Sequence, residues 1–341
     1  MAKLVFQAYL VLLILFSCNS SDESKTEKVQ KARNNLVNVS DKIVDIKPEI
    51  IFGNSALYIL DDILIVLEKF PKGEKSIHLF NKDTFKYITS TGVIGKGPGE
   101  IVAPGPIGID DKNKVFWVPD AGKKLLFKFP LDSVLNNPAF KPEIDKRMDN
   151  SFVTFGFLSD SIILGESVQP TSINSFEMKL AKLNLNTNKL ENFGYRHPKA
   201  LEKKTYASFT LSIKHNLYVE CHTRCDLMTI CDLGGNLRFN IYGPGWYGSN
   251  QDKNSFFFEV HMFGNNIISS YIGSLGLVQQ GNITRGAAPS RFIVFDLEGN
   301  YLKTIDTGYE FEQFCIDEDN KRIIAYFINR DEALGYFDIP F

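Results

Sequence analysis

The sequence predicts an all-β protein, a six-bladed β-propeller of four-stranded blades whose ring is closed by an N-terminal strand. Three observations predict it. Beyond residue 36, short apolar runs alternate with Gly, Asn, Asp and Pro, and no stretch sustains a helical period. An apolar residue followed by Asp or Asn recurs at Phe80-Asn81, Leu131-Asp132, Leu183-Asn184, Cys231-Asp232, Phe295-Asp296 and Phe337-Asp338, at spacings of 51, 52, 48, 64 and 42 residues. A period near fifty suits a four-stranded blade. Only Ile339, Pro340 and Phe341 follow the last of these marks, so the sixth blade is one strand short. Residues 36–46 alternate apolar and polar ahead of the first blade, and as the missing strand they would leave no open sheet edge. A pair of β-sandwiches would not explain six marks with one short end.

Composition sets the bounds. Of 341 residues, 44% are hydrophobic and 13% aromatic, with 28 Phe and 13 Tyr, which is ample for a large core and favours strands. Formal net charge is -2 and no basic block occurs, so the chain lacks the electrostatic footprint of a nucleic-acid binder.

In chain order, the first element is a leader. Lys3 precedes an apolar run from Leu4 to Phe16, interrupted only by Gln7, that is too short to span a bilayer and leads into Ser17 and Cys18. Residues 1–17 read as a signal peptide. Leu15-Phe16-Ser17-Cys18 resembles the lipobox of bacterial lipoproteins, in which the cysteine is acylated after cleavage, so Cys18 is expected to carry a lipid anchor to the membrane. The acidic run Asn19-Ser20-Ser21-Asp22-Glu23 resembles the surface-export signal of some Gram-negative lipoproteins, and reads equally as a solvated tether. Residues 18–35 as a whole hold few apolar side chains and are expected to form a flexible linker, with the propeller occupying 36–341.

Within the blades, Asp232-Leu-Gly-Gly-Asn236 and Asp296-Leu-Glu-Gly-Asn300 read as hairpins joining third and fourth strands. The long fourth interval contains residues 273–289, rich in Gly and Ser, which read as an inserted loop and the better lead to a binding face.

The stretch Gly92-Val-Ile-Gly95-Lys96-Gly97-Pro98-Gly99-Glu100-Ile101 resembles a loop of the six-bladed, TolB-like β-propeller lipoproteins of Gram-negative bacteria. That resemblance implies a fold and an outer-membrane address, periplasmic or surface-exposed, and brings no catalytic residues. A second Gly-Pro-Gly, at 243–245, lies about three blades later with Trp246 in place of the glutamate. With strands on both sides and Pro98 lacking an N–H, residues 95–99 read as a tight turn between blades and not as a phosphate cradle. Lys96 and Glu100 are candidate ligand contacts on the propeller face.

Cys221-His222-Thr-Arg-Cys225, followed by Cys231, is the one cluster that suggests a metal, and its spacing fits no standard zinc module. A hairpin of 217–222 with 227–232 puts Cys231 opposite Tyr218 and points Cys221 and Cys231 to opposite faces. Cys221 and Cys225 are left as a disulfide across the turn or as unpaired thiols. The five histidines are scattered, and no Gly-x-Ser-x-Gly elbow occurs. Carboxylates read as inner-strand, Asp110, Glu166, Glu259 and Asp317, could meet in the central channel around a cation. Trp246, Tyr247, Arg285 and Arg291 could form a recognition face.

The expectation is therefore an envelope lipoprotein with a non-catalytic binding module for an envelope protein, glycan or peptide, with no cofactor, no metal and no catalytic residue assigned. The rival expectation is a cation-dependent hydrolase or lyase centred on the channel. Three or more oxygens converging there beside a His or Tyr would favour the rival; apolar plugging would oppose it.

Overall fold

The computed structural model describes residues 26–50, 53–203, 206–248, 252–281 and 283–340. The six blades follow one another along the chain: Ser55–Leu60, Ile63–Glu68, Lys75–Asn81 and Tyr87–Val93 in blade 1; Gly108–Asp110, Val115–Asp120, Leu125–Pro130 and Glu143–Arg147 in blade 2; Ser151–Ser159, Ile162–Ser172, Ser175–Asn184 and Lys189–Asn192 in blade 3. Blade 4 comprises Ala207–Ser212, Leu217–His222, Leu227–Asp232 and Leu237–Tyr242, and blade 5 Asn254–Phe263, Asn266–Leu275, Arg291–Asp296 and Tyr301–Asp306. Blade 6 takes Phe311–Asp317, Arg322–Phe327 and Leu334–Asp338 from the C-terminal end and its outermost strand, Val44–Ile46, from the N-terminal end.

That last pairing is the predicted closure. Leu334 lies opposite Ile46 and Tyr336 opposite Val44, antiparallel, so both chain ends are stitched into one sheet. The closing strand is shorter than the segment proposed for it, because Leu36–Asn38 instead pairs parallel to Tyr301–Asp306 as a fifth strand of blade 5.

The recurring Asp or Asn has a physical cause in four blades. Its side chain caps the turn between third and fourth strands: Asn81 accepts from the amides of Asp83 and Thr84, Asn184 from Asn186 and Thr187, Asp232 from Asn236, and Asp296 from Glu298 and Asn300. Blade 2 differs. Its third strand ends at Pro130, and Leu131-Asp132 opens a short helix, Leu131–Asn136, that replaces the tight turn.

The second strand of each blade is sandwiched between neighbouring sheets, which is why Ile63–Glu68, Val115–Asp120 and Leu217–His222 are buried along their whole length. Tyr218 does pair with Cys231. Cys221 packs toward blade 5 with Phe257 and Ile267, whereas Cys231 packs toward blade 3 with Leu164. All four described cysteines are free thiols, so Cys221 and Cys225 form no disulfide.

The structure corrects the linker. Residues 26–35 lie on the propeller: Glu27–Val29 pairs parallel to the outer strand of blade 4, and Asn35 anchors the run to blade 5 through Leu302 and Thr304. Residues 1–25, with the leader, Cys18 and the acidic run, lie outside the described residues.

Candidate functional site

Antiparallel alternation puts the connections between blades, and the turns between second and third strands, on one face of the ring, the upper face. All six candidate contacts belong to it, but the ring separates them. Lys96 and Glu100 sit between blades 1 and 2; Trp246 and Tyr247 sit between blades 4 and 5, half a turn away; Arg285 and Arg291 belong to blade 5.

Most of them are also engaged internally. The Glu100 carboxylate folds back to accept from Gly97 N at 2.7 Å, so closely that a Cβ on Gly95 would stand 2.1 Å from its Oε2. The loop is thus a turn wrapped around its own carboxylate, with Gly99 at φ +72°. Lys96 is exposed. Trp246 is buried against Cys225, Leu227 and Tyr242, with His197 edge-on at 5.4 Å, and is core and not a recognition residue. Tyr247, its neighbour in the 3-10 turn Pro244–Tyr247, is exposed. Arg285 bonds Glu310 at 2.5 Å and Arg291 bonds Asp306 at 3.3 Å.

The second Gly-Pro-Gly loop keeps the same architecture with a carboxylate from elsewhere. Asp226 accepts from Gly245 N at 2.8 Å and from the Tyr271 hydroxyl at 3.0 Å. Its other oxygen meets Arg33 Nη1 at 3.1 Å. Both charged side chains are buried, and the guanidinium lies 4.9 Å from the Tyr271 ring centroid and 5.4 Å from that of Phe257. Arg33 therefore seals the boundary between blades 4 and 5 from above.

The four acids do not converge. Asp110 lies at the lower channel mouth, binding Asn113 of its own turn. Asp317 is buried and paired with Arg322 at 2.9 Å. Glu166 is on the second strand of blade 3, not the inner one, and faces Glu220 of blade 4 behind the channel wall. Only Glu259 faces the upper channel. Among the described residues no three His, Cys, Asp or Glu side chains come together to hold a metal ion.

The channel holds two cavities. The lower, of 710 Å³, is walled by Phe155, Phe157, Leu158 and Leu211 with Asp110, Asp111 and Asp160 at its rim. The upper, of 570 Å³, is lined by Tyr58, Tyr206, Phe209, Phe258, Glu259, His261 and Gln313. Glu259 Oε1 is 3.2 Å from His261 Nε2, and its Oε2 accepts from Phe314 N of blade 6 at 3.1 Å. Burial pushes the Tyr58 and Tyr206 hydroxyls well above the usual phenol range, and the charge of Glu259 pushes the same way. Sequence reading named Glu259 as a channel carboxylate but missed its pairing with His261, although the two, two apart on one strand, share a face.

The upper face carries exposed apolar side chains at the tips of turns and hairpins: Phe70 of blade 1, Ile173 and Phe176 of blade 3, Tyr247 before blade 5, and Leu277 and Ile283 of the blade 5 insertion. That insertion is a hairpin, Leu277–Gln280 with Ile283–Gly286, and the second-to-third strand hairpin of blade 3 likewise extends beyond its neighbours.

No family model matches the chain, and no curated protein matches it in sequence. Solved structures do match in shape. An assigned exported protein of Bacteroides fragilis is 11% identical, with a TM-score of 0.53 over 92% of this chain and 98% of its own. A member of the DUF4221 family from Bacteroides vulgatus is 12% identical, with a TM-score of 0.55 over 86% and 96%. The propeller domain of Cps50 (Swd1) from Myceliophteria thermophila is 4% identical, with a TM-score of 0.50 over 87% and 99%. At such identities the likeness establishes one thing, and it agrees with the sheet order of the chain itself: the fold is a six-bladed β-propeller.

Proposed function

We propose that the chain is an envelope lipoprotein whose propeller is a non-catalytic binding module, receiving a partner protein on its upper face. The observation that carries this reading is the collection of exposed apolar side chains on that one face, led by Ile173, fully exposed, and Phe70, 81% exposed. Scattered surface apolar residues need no explanation, but a set carried on projecting turns and hairpins of one face is what a docking surface requires. Among the described residues the lower face offers a single large exposed apolar residue at a turn, Ile213.

The address supports it. A Bacteroides fragilis protein of similar shape is described as exported, and Cys18 stands in a lipobox-like context. Only seven residues lie between Cys18 and Thr26, eight steps of chain that reach at most about 29 Å when extended. Glu27–Val29 runs upward along blade 4, so a tether entering there comes from the lower side and leaves the upper face turned away from the membrane. Cys18→Ala is expected to move the protein from the membrane to the soluble fraction; retention in the membrane contradicts the anchor.

The partner site is tested by a photo-crosslinking amino acid at Ile173 or Ile283, with Ile213 as the opposite-face control, in intact cells. Adducts of one discrete mass from the upper positions and none from Ile213 support the reading. Equal labelling of both faces overturns it.

A further inference from the structure

The upper channel cavity has a chemistry more specific than the exposed apolar tips of the same face. Its walls are aromatic, from Tyr58, Tyr206, Phe209 and Phe258, and one carboxylate, Glu259, faces it from the inner strand of blade 5. That carboxylate accepts from Phe314 N and lies 3.2 Å from His261 Nε2, and it keeps further lone pairs for an incoming donor. Its side chain is 22% exposed, so access is real but most of its hydration is gone. The Tyr58 hydroxyl accepts from Ile107 N at 3.1 Å and stays protonated, which keeps the wall free of competing negative charge. One N–H of the Gln313 amide is taken by the carbonyl of Glu312.

From these residues we infer that the upper cavity is a receptor site for a primary ammonium group, presented by a basic side chain of the protein partner. An anion is opposed by Glu259. A neutral hydroxyl would gain a single ordinary hydrogen bond, whereas an ammonium gains a charge-assisted bond to a partly desolvated carboxylate among aromatic faces, which attract cations. Lys69 is the other charged side chain at the cavity besides Glu259, and it stands exposed, where solvent and salt screen it. The inference rests on the proposed reading of the upper face, since the basic side chain arrives with the docked partner.

The test uses the mature propeller and n-butylammonium as the probe, with n-butanol and butyrate as matched controls, read by ligand-observed NMR. Butylammonium is expected to bind, the two controls not, and Glu259→Gln to weaken binding by about ten-fold or more. Because Glu259 also holds Phe314 N, thermal unfolding accompanies that variant. Gln313→Glu, which adds a carboxylate at the same cavity, supplies a gain-of-binding arm that does not depend on it and is expected to tighten butylammonium several-fold. Equal binding of butanol, or indifference of butylammonium to both substitutions, overturns the ammonium site while leaving crosslinking at Ile173 and Ile283 intact. Loss of crosslinking with butylammonium still bound overturns the docking face instead.

Discussion

Glu166 and Glu220 meet across the boundary of blades 3 and 4, both buried, with Arg196 Nη2 3.7 Å from Glu166. Burial, and then the charge of Glu220, push the Glu166 carboxyl well above its ordinary value of 4.5, against the pull of Arg196. The folded protein therefore holds a proton that the unfolded chain releases. Its contribution to stability is full below pH 4.5 and is lost as pH rises through the raised value. Urea unfolding from about pH 5 to about pH 9 should show stability falling on the alkaline side, and Glu166→Gln, neutral at every pH, should flatten that fall. His222, on the same side of its strand as Glu220, sets the other limb. Burial, then Arg196 and His197, lower it from 6.5 to about 3, so its contribution is present above pH 6.5 and fades as pH drops toward 3. His222→Gln should blunt the acid loss and leave the alkaline limb unchanged. A third expectation concerns Arg33: with Asp226 fully buried beside it, Arg33→Ala strands a charge and should cost about 3–5 kcal/mol in unfolding free energy. A cost near zero in denaturant titration would show that water reaches the pair.

At the scale of elements, what the sequence made legible depended on whether the cause was local. The repeated Asp or Asn marked blades because that side chain caps the turn it precedes, and the pairing of Tyr218 with Cys231 followed from hairpin register alone. The strap at 26–35 was illegible for the opposite reason. Its composition is that of a solvated linker, and its hold on the domain comes from Glu27–Val29 on blade 4 and from Arg33 meeting Asp226, 193 residues further along. The Glu166–Glu220 pair was hidden likewise, since nothing in a strand says what the next blade presents to it. Trp246 and Tyr247 read alike as candidates for a recognition face, yet the 3-10 turn buries Trp246 and leaves Tyr247 outside. Two deletions separate strap from ornament. Starting the chain at Leu36 should lower the melting temperature by at least as much as Arg33→Ala. Replacing residues 277–286 with a short glycine turn should leave the melting temperature nearly unchanged, because the two strands of that hairpin pair with each other and with no blade, and the Arg285–Glu310 ion pair it forms is partly exposed.

At the scale of the whole molecule, the ring is a rigid frame in which both ends of the chain are committed to holding it closed. Variation is free to collect in the loops above it. The upper face carries the projecting hairpins, the apolar tips and the aromatic, acidic cavity, while the strap approaches from the lower side. Once crosslinking has supplied the partner, its affinity for the native protein should be compared with that for the double substitution Ile173→Asp with Ile283→Asp, and with that for Ile213→Asp. The account predicts binding lost in the upper double variant and unchanged in the lower one, with all three proteins equally folded. Undiminished binding by the upper double variant would contradict it.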